Sequence, residues 1–456
     1  MLKGYYYINQ IILHVGIGLG VYFFKPASKV LFLIVLGICA FSIIKAPPRK
    51  RYVYVLSACA YIVGSEVFFR MTSGNFLHEA SKYLVVVFLL IGMLIGDGVN
   101  KKGYAYIIYL IFLIPGIIVA SSSLNYDTNL RTAIAFNLSG PVCLGITALY
   151  CYGRKISIKS LQEVLMYALL PIISTTTYLF LYSPTIKDTL SGTQSNFEAS
   201  GGYGPNQVST ILGLGVFLLA GRLFLQSKAL FIKVINIGVL AFMTYRAIVT
   251  FSRGGVFVAF LIILAFIITF YFKASSRSRR RIFGSTFVLG IGVILTWFVS
   301  SASTYGLIDK RYNNEDALGR TKDDITTGRA GLLTNELNEF FENPFFGVGV
   351  GKLKELRLEK EGINAASHNE MSRIIAEHGI FGFVAFLILL LTPLLLRFRN
   401  KKNIYFYSFY LFWFLTINHS SMRIAAPAFI YGLCLLNVYY DKPSLHRKQV
   451  IKQRKE

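Results

Sequence analysis

Charged residues are scarce in this chain, 15 % of 456 positions against roughly 25 % in an ordinary globular protein. Acidic residues are scarcer still: 22 Asp and Glu stand against 47 Lys and Arg, a net charge of +25. Cysteine supplies only Cys39, Cys59, Cys143, Cys151 and Cys434. All five lie inside apolar runs without zinc-like spacing, so a disulfide framework and a thiolate metal site are both disfavoured. They read as small core residues. No glycine loop that could cradle a phosphate precedes a Lys-Ser/Thr pair, and Asp323-Asp324 are adjacent rather than alternating. Nucleotide and metal chemistry are therefore not indicated, and no cofactor is expected. No internal repeat stands out. What the chain does have is apolar residues, 54 % of the whole, and a mean hydropathy of +0.55. A basic chain this averse to water is not read as a nucleic-acid binder, because membrane proteins collect Lys and Arg on their cytoplasmic loops.

Crossing a bilayer takes about 20 mostly apolar residues in helical form. Runs of that kind fall at 5–24, 29–45, 52–69, 82–98, 104–121, 133–151, 160–182, 206–226, 230–250, 254–272, 283–300, 372–396, 404–420 and 424–440. The expectation is an all-α polytopic transmembrane bundle of about fourteen spans (twelve or thirteen at the fewest), with one long external helical loop. The last hairpin, 404–440, has the shortest turn and is the weakest of these assignments. The stretch Met1–Tyr7 lacks a small-residue cleavage site and leads into a full-length span, so no removable signal peptide is expected. With the N-terminus inside, Arg49–Arg51, Lys101–Lys102, Arg154–Lys155, Lys228, Lys273 through Arg281, Arg397–Lys402 and the tail from Lys442 to Glu456 all fall on one side. One missed span would scatter them, so the charge pattern supports the count and puts both termini in the cytoplasm.

Three outer segments then carry interest: 183–205, the junction Phe251–Gly255, and 301–371. The last is the only long polar stretch, holds about half of the acidic residues, and is too long to be an idle connector. Within it, Gly331–Phe341 puts Leu333, Leu337, Phe340 and Phe341 on one helical face, which predicts an amphipathic helix lying on the outer membrane surface, or else a lid packed on the bundle. Ser367 followed by Glu370 reads as a capping box that starts a helix at Ser367. His368 would then sit in the first turn, where the positive end of the helix disfavours imidazolium. His14 and His419 read as span residues, and His378 precedes a helix-ending glycine. Arg246, Arg253, Arg329, Arg373 and Arg423 all fall at outer span ends or in outer loops. Any one could snorkel to headgroups, but several forked guanidinium groups converging on one cavity would suit a pyrophosphate. The glycines after Arg253 would let the backbone approach a bulky ligand closely.

These residues resemble the O-antigen ligase and polymerase superfamily of bacterial envelope glycosyltransferases. The resemblance runs from about residue 200 to 396. It rests on Pro205-Asn206 and Ser252-Arg253-Gly254-Gly255, each opening a span, on Gly328-Arg329 before a helix, and on Asn343 through Gly349. It closes with His368-Asn369 and Glu377-His378-Gly379-Ile380-Phe381-Gly382. Gly204 stands where the family often has Asn, and Leu333 where an aromatic often follows the arginine. The first 200 residues match only as a set of spans.

The resemblance implies metal-independent transfer of a saccharide from a polyprenyl-diphosphate carrier to an acceptor saccharide or glycolipid, at the periplasmic face of the bacterial inner membrane. It implies catalytic roles for His368, Arg253 and Arg329, with Arg246, Asn369, Arg373 and Arg423 expected to bind substrate. The expected partners are that donor, the acceptor, the lipid bilayer and other polysaccharide-assembly proteins, and no nucleic acid. The expected organisation is N-terminal spans over 1–200, a transmembrane core over 201–300, a periplasmic loop over 301–371, C-terminal spans over 372–440 and a basic tail over 441–456. A flippase for lipid-linked oligosaccharides is the competing reading. It would place its charges deep in the spans, whereas here they gather at span ends.

Overall fold

A computed structural model describes residues 2–441 apart from 97, 184, 191, 228, 325, 327, 363 and 365. The expected basic tail beyond residue 441, and Lys228, lie outside the described residues. The apolar runs form helices α1 (Leu2–Phe23), α2 (Ala27–Lys45), α3 (Arg51–Met71), α4 (Ala80–Leu94), α5 (Tyr104–Ile111), α6 (Ile114–Ser123), α7 (Leu130–Cys151), α8 (Ile158–Tyr182), α9 (Pro205–Leu225), α10 (Leu230–Ile248), α11 (Arg253–Lys273) and α12 (Ser276–Ser303). The polar stretch carries α13 (Leu307–Tyr312), α14 (Arg329–Glu342) and α15 (Lys352–Glu361) before α16 (Glu370–Arg399), α17 (Phe406–Ser420) and α18 (Ala426–Cys434). A short parallel pair, Lys155–Ser157 with Asn437–Tyr439, is the only sheet among the described residues. The protein is an all-α polytopic bundle.

Among the described residues, ten helical segments are long and apolar enough to cross a membrane, α5 and α6 counting together as one. The run at 82–98 is helical for fifteen residues only, and the last hairpin forms with α17 and α18 shorter than expected. Helices α3, α7, α8 and α9 are mostly buried, whereas α2 and α11 bury little of their apolar surface within the protein. The first set makes the core, and the second turns outward, as lipid-facing helices do.

Hydrogen bonds sort the connections into two ends. At one end Ser28 meets Thr72, Arg70 donates to the Tyr203 hydroxyl at 2.9 Å, Lys352 reaches Asn125 at 3.1 Å, and the Ala425 N–H donates to Glu66 at 2.7 Å. At the other, Arg154 donates to the Gly98 carbonyl at 2.7 Å, the Gly153 N–H to Leu435 at 2.9 Å, and Lys273 to Lys401.

Helix α16 is broken at Gly379, whose φ of 60° and ψ of −139° no helix allows. The break frees the Ala376 and Glu377 carbonyls, and these accept from the Val348 and Gly349 N–H groups at 3.0 and 3.1 Å. The freed Ile380 N–H donates to Pro344 at 2.7 Å. The two glycine-rich segments at 343–349 and 377–382 are thus one joint, in which these three freed backbone groups find partners across the break. A Cβ on Gly379 would lie 2.5 Å from the Phe345 carbonyl oxygen. Gly379→Ala is therefore expected to lower the unfolding temperature of the detergent-solubilised protein by several degrees. The positive-φ backbone alone costs about 1–3 kcal/mol for a residue with a Cβ, and the clash adds to it. An unchanged unfolding temperature would count against the joint.

Candidate functional site

Several elements of the fold meet at the first of these ends around a cavity of about 370 Å³. The start of α9 brings Asn206, and the start of α11 brings Ser252, Arg253 and Gly254. Helix α13 brings Arg311, α14 brings Arg329, Leu332, Leu333 and Glu336, and the approach to α16 brings Ser367, His368 and Asn369. Arg253, Arg329 and His368, far apart in the chain, face one space.

Local geometry sets each in place. The Ser252 hydroxyl donates to Asn206 at 2.7 Å, and its carbonyl accepts from Ser209 at 3.0 Å, which ties α11 to α9. Gly255 lets these helices touch, since a Cβ there would lie 2.4 Å from the Ser209 backbone. Gly254 lets the His419 ring pack against it in the same way. The glycines after Arg253 therefore admit neighbouring helices of the protein, and Gly254 also lines the cavity. Gly328, at φ 83°, turns the chain into α14 and leaves Arg329 as its first residue.

The α16 cap also differs from expectation. Asn369, not Ser367, is the N-cap: its side chain accepts from the Met371 and Ser372 N–H groups at 2.9 and 3.3 Å. Both residue types cap well. Here the Ser367 carbonyl is held by Arg423 at 3.0 Å and by the Ser421 hydroxyl at 3.2 Å, which keeps Ser367 out of the helix. Glu370 pairs with Arg373 rather than closing a capping box. His368 consequently stands just before the helix, its carbonyl accepting from the Ser421 N–H at 3.1 Å. Its Nδ1 is buried and has no partner among the described residues. Burial, and then the positive charges of Arg423, Arg329 and Arg357, push the imidazole down to about 4. At neutral pH it is uncharged.

Arg311 is the residue sequence reasoning missed. Its Nε donates to the Phe251 carbonyl at 3.1 Å, and its own carbonyl accepts from Arg253 at 3.3 Å. Burial and the neighbouring Arg253 and Arg329 push it down to about 10. Burial and Arg253 lower Arg329 as well. Neither Arg311 nor Arg329 is in an ion pair among the described residues. Three guanidinium groups that repel one another, with an uncharged imidazole alongside, make a space that favours a bound polyanion.

Glu336, also missed, is the single carboxylate on the cavity wall among the described residues. It accepts from Arg357 at 2.8 Å and from the Ser372 hydroxyl, and burial raises its affinity for a proton. The buried face of α14 is accordingly Glu336 and Glu339, paired with Arg357 and Lys360 of α15. Of the two arrangements open for this helix, α14 is a lid on α15 and α16 with Leu332 and Leu333 facing the cavity, rather than a helix on the membrane surface. Phe341, at 73 % exposure, points away from the protein.

The other arginines sit elsewhere. Arg246 is spent on the segment 183–199, donating to the Ser183 carbonyl and hydroxyl at 3.1 and 2.7 Å and to Ala199 at 3.0 Å. Arg373 is held by Glu370, by Glu377 at 2.6 Å and by the Asn137 carbonyl at 2.8 Å. Neither lines the cavity. Arg423 and Arg373 line a smaller pocket that shares Ser367 with it, together with Lys82 and Glu370.

The fold and the site define a multi-pass membrane protein whose helices close at one end over a cation-lined cavity. Its segment 238–387 matches the family model for O-antigen ligase: about a third of the chain, from within α10 to the middle of α16. That segment carries Arg253, Arg311, Arg329, Glu336, His368 and Asn369 and stops short of Arg423. No curated protein matches the chain. The match supports the O-antigen ligase and polymerase family, and with it a role of glycosyl-transfer type in surface polysaccharide assembly.

Proposed function

We propose that the protein transfers a saccharide from a polyprenyl-diphosphate carrier to the hydroxyl of an acceptor saccharide, at the periplasmic face of the bacterial inner membrane, without a metal ion. The observation that carries this reading is the convergence of His368 with Arg253, Arg311 and Arg329 on one cavity. In the transfer, the acceptor oxygen bonds to the anomeric carbon of the donor sugar. The bond from that carbon to the diphosphate breaks, and its electron pair leaves on the diphosphate. The arginines take up that developing charge, each well-placed donor contributing about 2.7–4 kcal/mol. His368, uncharged and with Nδ1 unpartnered, takes the hydroxyl proton. Asn369 holds His368 at the head of α16. Arg246, Arg373 and Arg423 act as scaffold that fixes the loops around the cavity.

Orientation follows from charge. The loops with Arg49–Arg51, Lys101–Lys102, Arg154–Lys155 and Arg397–Lys402 gather at the end opposite the cavity, which supports a cytoplasmic placement for that end and for the N-terminus.

The test is reconstitution in proteoliposomes with a polyprenyl-diphosphate oligosaccharide as both donor and acceptor. Elongated or transferred glycan is expected from the native protein. Arg329→Ala and Arg253→Ala, inserted and folded normally, are each expected to lower the rate about 10²–10³-fold. Movement of the labelled lipid between leaflets with no sugar joined would make the protein a flippase instead.

A further inference from the structure

A second groove, of about 280 Å³, runs between α14 and α15 and shares Glu336 with the cation-lined cavity. Its floor is Leu353 and Leu356, and its polar lining includes Asn335, Asn338, Glu342 and Glu361. Three bonds hold the two helices together across it: Glu336 with Arg357 at 2.8 Å, Glu339 with Lys360 at 2.5 Å, and Asn335 with Glu361 at 2.5 Å. With the shared Glu336 counted in the cavity, three carboxylates against two cations leave a charge of −1 in the groove at neutral pH. The cavity next to it carries three arginines and one carboxylate, a charge of +2.

Resting on the reading of the cavity as a donor site, we propose that this groove is the acceptor subsite and that it takes an uncharged or amino-substituted saccharide. Two substrates must meet at one reaction centre, and their chemistry differs. One carries a diphosphate, which the arginines attract and the carboxylates of the groove repel. The other is a polyol with a hydroxyl rim and an apolar ring face. Carboxylates, amides and an ammonium group above a leucine floor offer both acceptors and donors to hydroxyls and a surface to the ring. The shared wall at Glu336 is where a sugar in the groove comes beside a donor in the cavity. The opposite signs keep each substrate out of the other's place, and an acidic glycan is refused by the same charge that refuses the diphosphate.

Saturation-transfer NMR on the detergent-solubilised full chain tests the assignment with three probes: a tetramer of N-acetylglucosamine, a tetramer of galacturonate, and inorganic pyrophosphate. The neutral tetramer is expected to bind and the galacturonate tetramer to bind at least about tenfold more weakly. Asn338→Trp, an exposed position that fills the groove, is expected to abolish binding of the neutral tetramer while pyrophosphate still binds. Arg311→Ala is expected to do the reverse. The assignment is overturned if the neutral tetramer fails to bind, if Asn338→Trp leaves its affinity unchanged, or if the galacturonate tetramer binds as well. Loss of pyrophosphate binding in the native protein would instead sink the donor reading, with the groove result standing apart from it.

Discussion

His368→Ala is expected to slow glycosyl transfer by roughly 10²–10⁴-fold, the usual worth of a positioned general base, with the protein still folded in the membrane. Folding should survive because the side chain caps nothing. Asn369 caps α16, and the bond that fixes residue 368 runs from the Ser421 N–H to its backbone carbonyl. A pH profile separates loss of a base from loss of shape. The imidazole is pushed down to about 4, so it is already an acceptor across the neutral range. The acid limb of kcat/KM, which reports the free enzyme, should therefore lie near that value, with little change from there to neutrality. Burial is the main cause of the depression, and Arg423 makes the largest contribution among the charges. Removing a positive neighbour makes protonation easier, so Arg423→Gln should move the acid limb to higher pH. Transfer at the native rate in His368→Ala, or an acid limb that ignores Arg423, would remove the imidazole from the mechanism.

Residues from distant parts of the chain were legible together because two different signals pointed to one end of the bundle. Apolar periodicity set the spans, the side of the basic loops set the ends, and Arg253, Arg329 and His368 each stand beside a helix start that the sequence marks with Ser, Gly or Asn. Arg311 and Glu336 had no such mark. Arg311 lies in a short helix whose neighbours are ordinary polar residues, and it faces the cavity only because its Nε binds the Phe251 carbonyl, a contact across sixty residues. Glu336 has none because a helical wheel turns the apolar stripe of α14 inward and the carboxylates outward. The wheel could not know that α15 and α16 offer Arg357 and Ser372 to the polar face. A carboxylate is buried where its partners are, and partners are a tertiary property. The same limit explains Ser367: its sequence suits an N-cap, but its carbonyl is claimed by Arg423 and Ser421, and Asn369 caps instead. Residue type announced which groups could do a job, and packing decided which did.

Arg311→Ala is expected to cost about 10²–10³-fold in turnover, the loss measured when one charge-stabilising donor is removed from a preorganised site. The structure also predicts an effect of the opposite sign on the resting protein. Arg311 is buried beside Arg253 and Arg329, and the three charges disfavour one another. Alanine relieves that repulsion and gives up one charge-assisted hydrogen bond to Phe251, worth about 1.5–3 kcal/mol. The unfolding temperature of the ligand-free variant should therefore change little, although a buried side chain has been cut away. A site held ready for an anion is strained until the anion arrives, so the difference should appear on adding one. Inorganic pyrophosphate is expected to raise the unfolding temperature of the native protein as any ligand of the folded state does, and the rise should shrink or vanish in Arg311→Ala. Arg311→Lys keeps the charge without the planar fork and should fall between the two. If Arg311→Ala unfolds at much lower temperature and pyrophosphate stabilises it as it does the native protein, Arg311 is a structural strut and the diphosphate is held by Arg253 and Arg329 alone.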